Sequence, residues 1–278
     1  MKTRGYLIVS TMARSFYEAM VMAVESLKDE IPDAKVAVFT HEEWIRDSDR
    51  HLFDHIITPV PVHVRTKLWA LPQTPFDQTI YLDADMFVLN NELEEVFDYL
   101  DQADIVMSEN RPYNAKVVYF THDDQVGPGI PCRELEHYLD SDMQLYIDGK
   151  AHKFQWHCGM FAWNNNEKTQ KLWEEWLKWY KVHTVDDDTS PFPRGLKYWD
   201  TFAFWRALYE NPDLDVNIKR MPNDAKYNFV TGYKETELRP GTEKSVLHYT
   251  VDPNYTQETY IINEAAFDTT YGSFETLR

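Results

Sequence analysis

The 278-residue sequence contains little cysteine and little glycine. Its two cysteines, Cys132 and Cys158, are too few for a disulfide framework or a cysteine-based zinc site, so a reducing cytoplasmic setting is expected. The nine glycines form no G-x-G-x-x-G fingerprint, no Walker A sequence and no G-x-S-x-G elbow. Dehydrogenases, P-loop enzymes and serine hydrolases that depend on these motifs are therefore excluded.

Long apolar segments are also missing. No stretch approaches the roughly 18 uncharged apolar residues that a transmembrane helix requires. The N-terminal segment MKTRGYLIVST begins with basic residues, but its apolar run is shorter than the roughly 7–15 residues of a signal-peptide core. This run predicts a first β-strand instead, and neither a membrane span nor a leader is expected.

Positive charge is scarce. The chain has 28 lysines and arginines against 46 aspartates and glutamates, which gives a formal net charge of −18. Such a charge opposes binding to a phosphate backbone, and no Lys/Arg cluster offsets it. Nucleic acid is disfavoured as a partner, and the lack of a basic amphipathic helix disfavours permanent membrane residence.

The segments that are present predict an α/β domain. A strand at 6–10, a helix containing STMARSFYEAMVMAVESL and a strand at 35–39 form a βαβ unit, so the sheet is expected to be at least partly parallel. Ser15 is the predicted N-cap of that helix, and Asn90 or Asn91 the N-cap of a later one. Further strands are predicted at HIITPV, at 79–82, at 104–108 and at 159–164.

The segment KTQKLWEEWLKWYKVH is amphipathic with helical spacing. Its apolar stripe includes Trp173 and Trp176. Ordinary burial preferences favour a core position for these tryptophans over a sugar-stacking surface.

The stretch TIYLDADMFVLN at 79–90 is an apolar strand that ends in Asp83 and Asp85. In a continuing strand both side chains would point to one face about 6.6 Å apart. Where the strand bends, the two carboxylates can converge on one Mg²⁺ or Mn²⁺ ion that also binds phosphate oxygens. The carboxyl end of a parallel strand is where open α/β sheets bind ligands. The alternative is an acidic turn whose aspartates bond the local backbone.

Three further residues could complete such a site. Arg65 and Lys67 precede the strand, and His248 ends the strand-like run SVLHYT. Neutral imidazole is an acceptable third ligand for Mn²⁺. A lone histidine of this kind could equally be an ordinary core or surface residue.

Together these segments resemble the nucleotide-diphospho-sugar transferases of the GT-A fold, most closely the glycogenin-like and galactinol-synthase-like retaining glycosyltransferases. The matching stretches lie between about residues 5 and 250. They are LIVSTMARSFYEAM, TKLWAL, TIYLDADMFVLN, CGMFAWN, WDTFAFW and SVLHYT. The resemblance implies one GT-A domain over 1–278, with a mostly parallel mixed sheet flanked by helices. About 1–110 would form the nucleotide-binding half and about 111–278 the acceptor-side half.

The resemblance also implies roles for individual residues. The implied donor-binding positions are Ser10, Thr11, Tyr17, Lys67, Asp83, Ala84 and Gly159. The implied ligands of a Mn²⁺ or Mg²⁺ cofactor are Asp83, Asp85 and His248. Asp200, which would line the donor sugar, and His157 are the candidate catalytic residues.

Two departures from the family pattern concern the donor. The family commonly has N-x-G where this chain has His157-Cys158-Gly159, so the sugar contacts are expected to differ. The family also places a glycine and a phosphate-clamping lysine after its histidine, and HYTVDPNY has neither. The residues that could replace that clamp are Arg14, Arg65, Lys67 and Lys226.

The residues and this resemblance together predict a metal-dependent glycosyltransferase that moves a sugar from a nucleotide-diphosphate sugar, expected to be a UDP-sugar, to an acceptor hydroxyl. The resemblance implies retention of configuration. An inverting enzyme would need a carboxylate base, from Asp200 or from the loop aspartates at 186–188. A nucleotidyltransferase of related fold is one alternative, although STMARSFY lacks the usual glycine-rich phosphate loop. A non-catalytic carbohydrate-binding protein is another. The acceptor is left open among a glycan, a protein, a lipid-linked sugar, a polyol and a modified base.

Overall fold

The computed structural model describes residues 2–62, 65–109, 146–147, 150–151, 156–184, 200–222, 224–230 and 244–249. The predicted loop aspartates at 186–188 lie outside these residues, as does much of the predicted acceptor-side half. Among the described residues, no helix combines the length and the apolar character needed to cross a membrane.

The strands and helices follow the predicted order. The strands are β1 (Arg4–Ser10), β2 (Val36–Thr40), β3 (His55–Ile57), β4 (Gln78–Asp83), β5 (Met86–Val88), β6 (Ile105–Glu109), β7 (Tyr146–Ile147), β8 (Lys150–Ala151), β9 (Trp156–Asn164), β10 (Ile218–Arg220), β11 (Phe229–Val230) and β12 (Val246–His248). The α-helices are α1 (Arg14–Glu30), α2 (Lys67–Ala70), α3 (Glu95–Tyr99), α4 (Glu167–Thr184), α5 (Asp200–Tyr209) and α6 (Asp224–Tyr227). Short 3₁₀ helices lie at Glu42–Trp44, Arg50–Leu52, Leu71–Gln73, Asn91–Glu94, Leu100–Gln102 and Pro212–Leu214.

The main sheet has seven strands in the order β10-β6-β9-β4-β1-β2-β3. Strand β1 pairs in parallel with both β2 and β4, while β9 is antiparallel to its neighbours β4 and β6. The expected mixed, mostly parallel sheet is confirmed. The parallel pairing of β1 and β4 brings their carboxyl ends to one edge of the sheet, where Ser10 and Asp83 lie.

Both faces of the sheet are covered, which explains the nearly continuous apolar character of its central strands. Because successive side chains point to opposite faces, Leu7 and Phe39 join one core while Ile8 and Val38 join the other. Helices α4 and α5 contribute to the first core, and α1 and α3 to the second. Trp173 is fully buried in the first core, as the amphipathic pattern predicts.

A smaller sheet, β11-β12-β5, adjoins the carboxyl end of β4. Strand β5 begins three residues after β4 ends and pairs antiparallel with β12, with Met86 opposite His248. The Tyr249 backbone N–H also donates to the Asp85 carbonyl at 3.0 Å. This pairing brings the late segment SVLHYT beside the two aspartates.

One predicted helix cap is correct and another is wrong. The Asn90 side chain accepts a hydrogen bond from the Glu92 backbone N–H at 3.1 Å, so Asn90 does cap its helix. Helix α1, however, begins at Arg14 with Ala13 as its N-cap, and Ser15 lies inside the first turn. The chain turns tightly at Met12, where φ is +75°, and this turn starts the helix before Ser15 can cap it.

Trp176 is expected to be a large contributor to stability. It is fully buried, lies edge-to-face with Phe204 at 4.7 Å, and donates from its indole nitrogen to the Asp200 carbonyl at 2.8 Å. Trp176→Ala should lower the free energy of unfolding by about 3–5 kcal/mol in urea denaturation. Trp176→Phe, which keeps an aromatic ring but loses the donor, should lower it less. A loss below about 1 kcal/mol for Trp176→Ala would contradict this packing.

Candidate functional site

The Asp83 and Asp85 side chains converge with His248 at the edge of the main sheet. Asp83 is the last residue of β4, and Ala84 and Asp85 form the turn before β5. In a continuing strand the two carboxylates would be held apart, and the turn after Asp83 allows them to approach each other. One ligand atom from each of the three residues lies within 4.8 Å of the others.

His248 is held from two sides. Its Nε2 lies 3.3 Å from Asp85 Oδ1, and its Nδ1 lies 3.2 Å from the side-chain oxygen of Asn228. Burial favours the neutral ring, but the Asp85 carboxylate favours the charged ring, and the net effect raises the pKa of His248.

Gly159 on β9 closes the other side of the cluster. A Cβ atom at this position would lie 2.9 Å from Asp83 Oδ2, 2.9 Å from His248 Cε1 and 2.7 Å from His157 Cε1. Real Cβ atoms essentially never approach other atoms so closely. Only glycine therefore lets β9 run against the cluster without displacing these side chains.

The three side chains fit a hard divalent cation. Two carboxylates and one imidazole suit Mn²⁺ or Mg²⁺ with positions left for phosphate oxygens and water. Burial raises the pKa of Asp83, and the Asp85 carboxylate adds to this rise against the opposing charge of Lys67. A divalent cation bound by the pair would stabilise both carboxylates in their charged form.

Lys67 links the aspartate pair to Asp200. Its ammonium group lies 2.7 Å from Asp200 Oδ2 and 3.6 Å from Asp83 Oδ1, and it donates to the Cys158 carbonyl at 2.7 Å. Arg65 Nε lies 3.8 Å from the other Asp200 oxygen. Although burial favours a neutral carboxyl, the charges of Lys67 and Arg65 lower the pKa of Asp200 to about 2.

A pocket of about 260 Å³ opens beside these charges. Residues from β1, α1, α2, β4 and the loops next to them form its walls. They are Val9, Thr11, Met12, Phe16, Arg65, Thr66, Lys67, Tyr81, Asp83, Ala84 and Asp85. The lining therefore combines charged and polar side chains with apolar surface from Val9, Met12 and Phe16.

Most sequence-predicted site residues lie in or beside this pocket. Ser10 and Tyr17 do not line it. Ser10 is buried at the end of β1, and Tyr17 is fully buried with its hydroxyl donating to Asp49 at 2.6 Å. Phe16, the neighbour of Tyr17, lines the pocket instead. The predicted catalytic residue His157 contacts the His248 ring edge-to-face at 5.4 Å.

The sequence interpretation missed Asn228 and Tyr81. The Tyr81 hydroxyl donates to Asp83 at 2.5 Å. Its position two residues before Asp83 on the same strand could have revealed it, since residues i and i+2 share a face. Asn228 lies just before β11 and bonds both His157 and His248. Its contacts depend on tertiary structure, and no local pattern marks it.

No protein-family model matches the chain, and no curated protein does. Solved structures do match it. The chain is similar to the glycosyltransferase GlyE of Streptococcus pneumoniae TIGR4 at 13% identity and a TM-score of 0.54, over 95% of this chain and 60% of that one. It is similar to the galactosyltransferase LgtC, solved with donor and acceptor sugar analogues, at 12% identity and a TM-score of 0.52, over 94% of this chain and 95% of that one.

A third similar structure is mouse xyloside xylosyltransferase 1, at 14% identity and a TM-score of 0.52, over 88% of this chain and 96% of that one. At such identities the likeness establishes the fold, and this chain has the GT-A fold of these glycosyltransferases. The expected fold class is confirmed. The narrower resemblance to glycogenin-like enzymes stays a prediction.

The depressed pKa of Asp200 predicts a pH-dependent contribution to stability. A fall of this pKa from 3.8 to about 2 corresponds to about 2–3 kcal/mol of unfolding free energy. This stabilisation is present above pH 4 and is lost as the pH falls through the folded-state pKa. Asp200→Asn should lower the free energy of unfolding by at least that amount at pH 7, because Lys67 then loses its ionised partner. The deficit should shrink between pH 4 and pH 2.

Urea denaturation at several pH values measures this deficit. Asp215→Asn is the control, because Asp215 pairs with Lys168 at 2.9 Å but is exposed, and it should change stability little at any pH. If Asp200→Asn is as stable as the native protein at pH 7, or if its loss of unfolding free energy is the same at every pH, the ion pair is not coupled to folding.

Proposed function

We propose that this chain is a glycosyltransferase that moves a sugar from a nucleotide-diphosphate sugar to an acceptor hydroxyl, using a divalent cation held by Asp83, Asp85 and His248. The observation that carries the proposal is the convergence of these ligands beside a pocket in a chain of GT-A fold. UDP is the proposed nucleotide, and Mn²⁺ or Mg²⁺ the proposed cation. The proposal treats 1–278 as one domain with its nucleotide-binding half at about 1–110.

The aspartates and His248 have the chemistry that such a reaction needs at its leaving group. When bound, the cation supplies Lewis-acid and electrostatic stabilisation of the departing diphosphate. Tyr81 and Lys67 hold Asp83 in place through its Oδ1 atom, at 2.5 Å and 3.6 Å. The second Asp83 oxygen, Oδ2, is the one next to Gly159.

Arg65 is the proposed phosphate clamp that replaces the lysine missing after His248. Its guanidinium is always charged, and its fork of donors suits phosphate oxygens. Arg65 lines the pocket, and its side chain is 32% exposed. The other candidates are placed less well. Lys226 pairs with Glu92 at 2.9 Å, and Arg14 lies over the Tyr17 ring and near Glu18.

The proposed nucleoside site is the part of the pocket lined by Thr11, Met12 and Phe16. Met12 and Phe16 offer apolar surface to a base. The Thr11 hydroxyl, 2.9 Å from the Thr66 hydroxyl, belongs to a polar pair on the same wall. The tight turn at Met12 brings this wall towards the ends of β1 and β4.

The proposed role of Asp200 is to hold Lys67 and to line the sugar. A carboxylate with a pKa of about 2 is a weak base near neutral pH, so it is poorly suited to deprotonate an acceptor. This supports retention of configuration over an inverting mechanism that uses Asp200. Burial is also the largest cause that lowers the pKa of His157 to about 3, so its ring is neutral in the working range.

A thermal-shift measurement with UDP and Mn²⁺ tests the proposal. At a ligand concentration of about 100 times Kd the native protein should gain about 2.7 kcal/mol of stability, which for a chain of this length is a rise of roughly 5 °C in Tm. Asp85→Asn should abolish the rise, because it removes a charged ligand of the cation. Asp98→Asn is the control, since Asp98 is an exposed carboxylate on α3 paired only loosely with Arg4 at 3.2 Å.

Product analysis separates the rival functions. A glycosyltransferase should slowly hydrolyse its own nucleotide sugar and release UDP. A nucleotidyltransferase would instead respond to a free nucleoside triphosphate and release pyrophosphate, and a carbohydrate-binding protein would release neither. If no nucleotide sugar shifts the melting temperature with any divalent cation, the proposed function is wrong.

A further inference from the structure

Three polar side chains, one of them the proposed metal ligand His248, are linked by hydrogen bonds. Asn228 lies between two histidines: its side-chain nitrogen is 2.8 Å from His157 Nδ1, and its side-chain oxygen is 3.2 Å from His248 Nδ1. The three residues come from β9, from the residue before β11, and from β12. They are 71 and 20 positions apart in the sequence.

A backbone N–H group determines which atoms donate and which accept in these hydrogen bonds. The Gly159 N–H donates to His157 Nδ1 at 3.1 Å. A backbone N–H can only donate, so His157 Nδ1 must be an acceptor without a proton. Asn228, which approaches the same nitrogen atom, must therefore present its NH₂ group to His157.

The same reasoning fixes the proton on His248. With its NH₂ group directed to His157, Asn228 presents its carbonyl oxygen to His248 Nδ1. An amide oxygen only accepts, so His248 Nδ1 carries the hydrogen. Nε2, which lies 3.3 Å from Asp85 Oδ1 and is directed to the ligand cluster, is then the nitrogen left for a cation, which would take the place of the proton that Nε2 otherwise directs at the Asp85 carboxylate.

We propose that His157 and Asn228 are positioning residues that fix the tautomer and orientation of His248, so that Nε2 is the nitrogen offered to a divalent cation. The inference rests on the metal site in the proposed function. Burial supports it, because Asn228 is 7% exposed and His248 is 5% exposed, so water competes little for their hydrogen bonds. The edge-to-face contact of the two rings at 5.4 Å holds the same geometry.

This assignment gives a role to two features of the sequence. His157 stands where the resembling family commonly has asparagine, and here its imidazole supplies the acceptor that orients Asn228. Asn228 carries no sequence signal of its own. Hydrogen-bonding partners of metal-bound histidines typically contribute about 10–100-fold in metal affinity. The hydrogen bonds of His157 and Asn228 should therefore affect metal binding as well as packing.

Manganese binding to the purified chain tests the inference. Electron paramagnetic resonance measures the concentration of free Mn²⁺. Pulsed electron paramagnetic resonance detects a nitrogen atom bonded to the metal ion. Mn²⁺ is titrated alone and again with UDP. Asn228→Leu, which keeps the approximate shape but removes both hydrogen bonds, should raise the Kd for Mn²⁺ about 10–100-fold and weaken the nitrogen signal.

A second variant and a control separate positioning from general destabilisation. His157→Phe keeps a ring beside His248 but removes the acceptor that orients Asn228, so it should shift Kd and the nitrogen signal in the same direction. Asn211→Leu removes an asparagine that bonds Glu175 at 3.1 Å and the Ala207 carbonyl at 2.9 Å. It should lower the melting temperature without changing Mn²⁺ affinity.

The outcomes distinguish this inference from the proposed function. If Asn228→Leu and His157→Phe lower the melting temperature but bind Mn²⁺ like the native protein, with the nitrogen signal intact, the inference is wrong. The hydrogen bonds of Asn228 then contribute to stability alone. If the native protein itself binds no Mn²⁺ alone or with UDP, the proposed metal site fails and the inference fails with it.

Discussion

Two carboxylates at the end of a buried strand require positive charge beside them, and the rest of the site depends on this requirement. Burial is the largest cause that raises the pKa of Asp83, and the Asp85 carboxylate adds to the rise, whereas the charge of Lys67 opposes it. That lysine, Lys67, is shared with Asp200, and Arg65 also lies near Asp200. In the described part of the chain around the pair, Asp83, Asp85 and Asp200 face the permanent cations Lys67 and Arg65 and the imidazole of His248. A divalent cation would stabilise Asp83 and Asp85 in their charged form, and the convergence of these two carboxylates with His248 is what supports the proposed metal dependence.

The fold brings these charged side chains together at the places where its strands end. The parallel pairing of β1 and β4 places the loop after Ser10 beside Asp83, which creates the pocket. The turn after β4 leads into β5, whose pairing with β12 delivers His248 from the far end of the chain. Strand β9 approaches closely enough to complete the cluster only because position 159 has no side chain. Each contribution is a backbone arrangement, so the site depends on the stability of both sheets.

The sequence predicted those parts of the structure that depend on local pattern. The βαβ unit, the buried Trp173 and the strand that ends at Asp83 follow from spacing and burial preference. The candidate ligands Asp83, Asp85 and His248 were proposed from their residue types and positions, and the family resemblance implied the same three. Parts that depend on distant contacts were missed. Asn228 is recognisable only once β11 and β12 are paired. Tyr17 has the residue type for ligand contact, but its helix turns the hydroxyl towards Asp49 and presents Phe16 to the pocket instead. The expectations of a cytoplasmic setting and a glycogenin-like enzyme stay predictions, because neither follows from the geometry.

Anomalous diffraction from a crystal grown with Mn²⁺ and UDP tests the central claim most directly. Data collected at the manganese absorption edge locate the metal ion independently of any assumption about its ligands. The account predicts one strong peak within coordination distance of Asp83, Asp85 and His248 Nε2, with the diphosphate of UDP bound to the same ion. A peak at other residues, or ordered UDP in the pocket with no metal ion at this cluster, would contradict it.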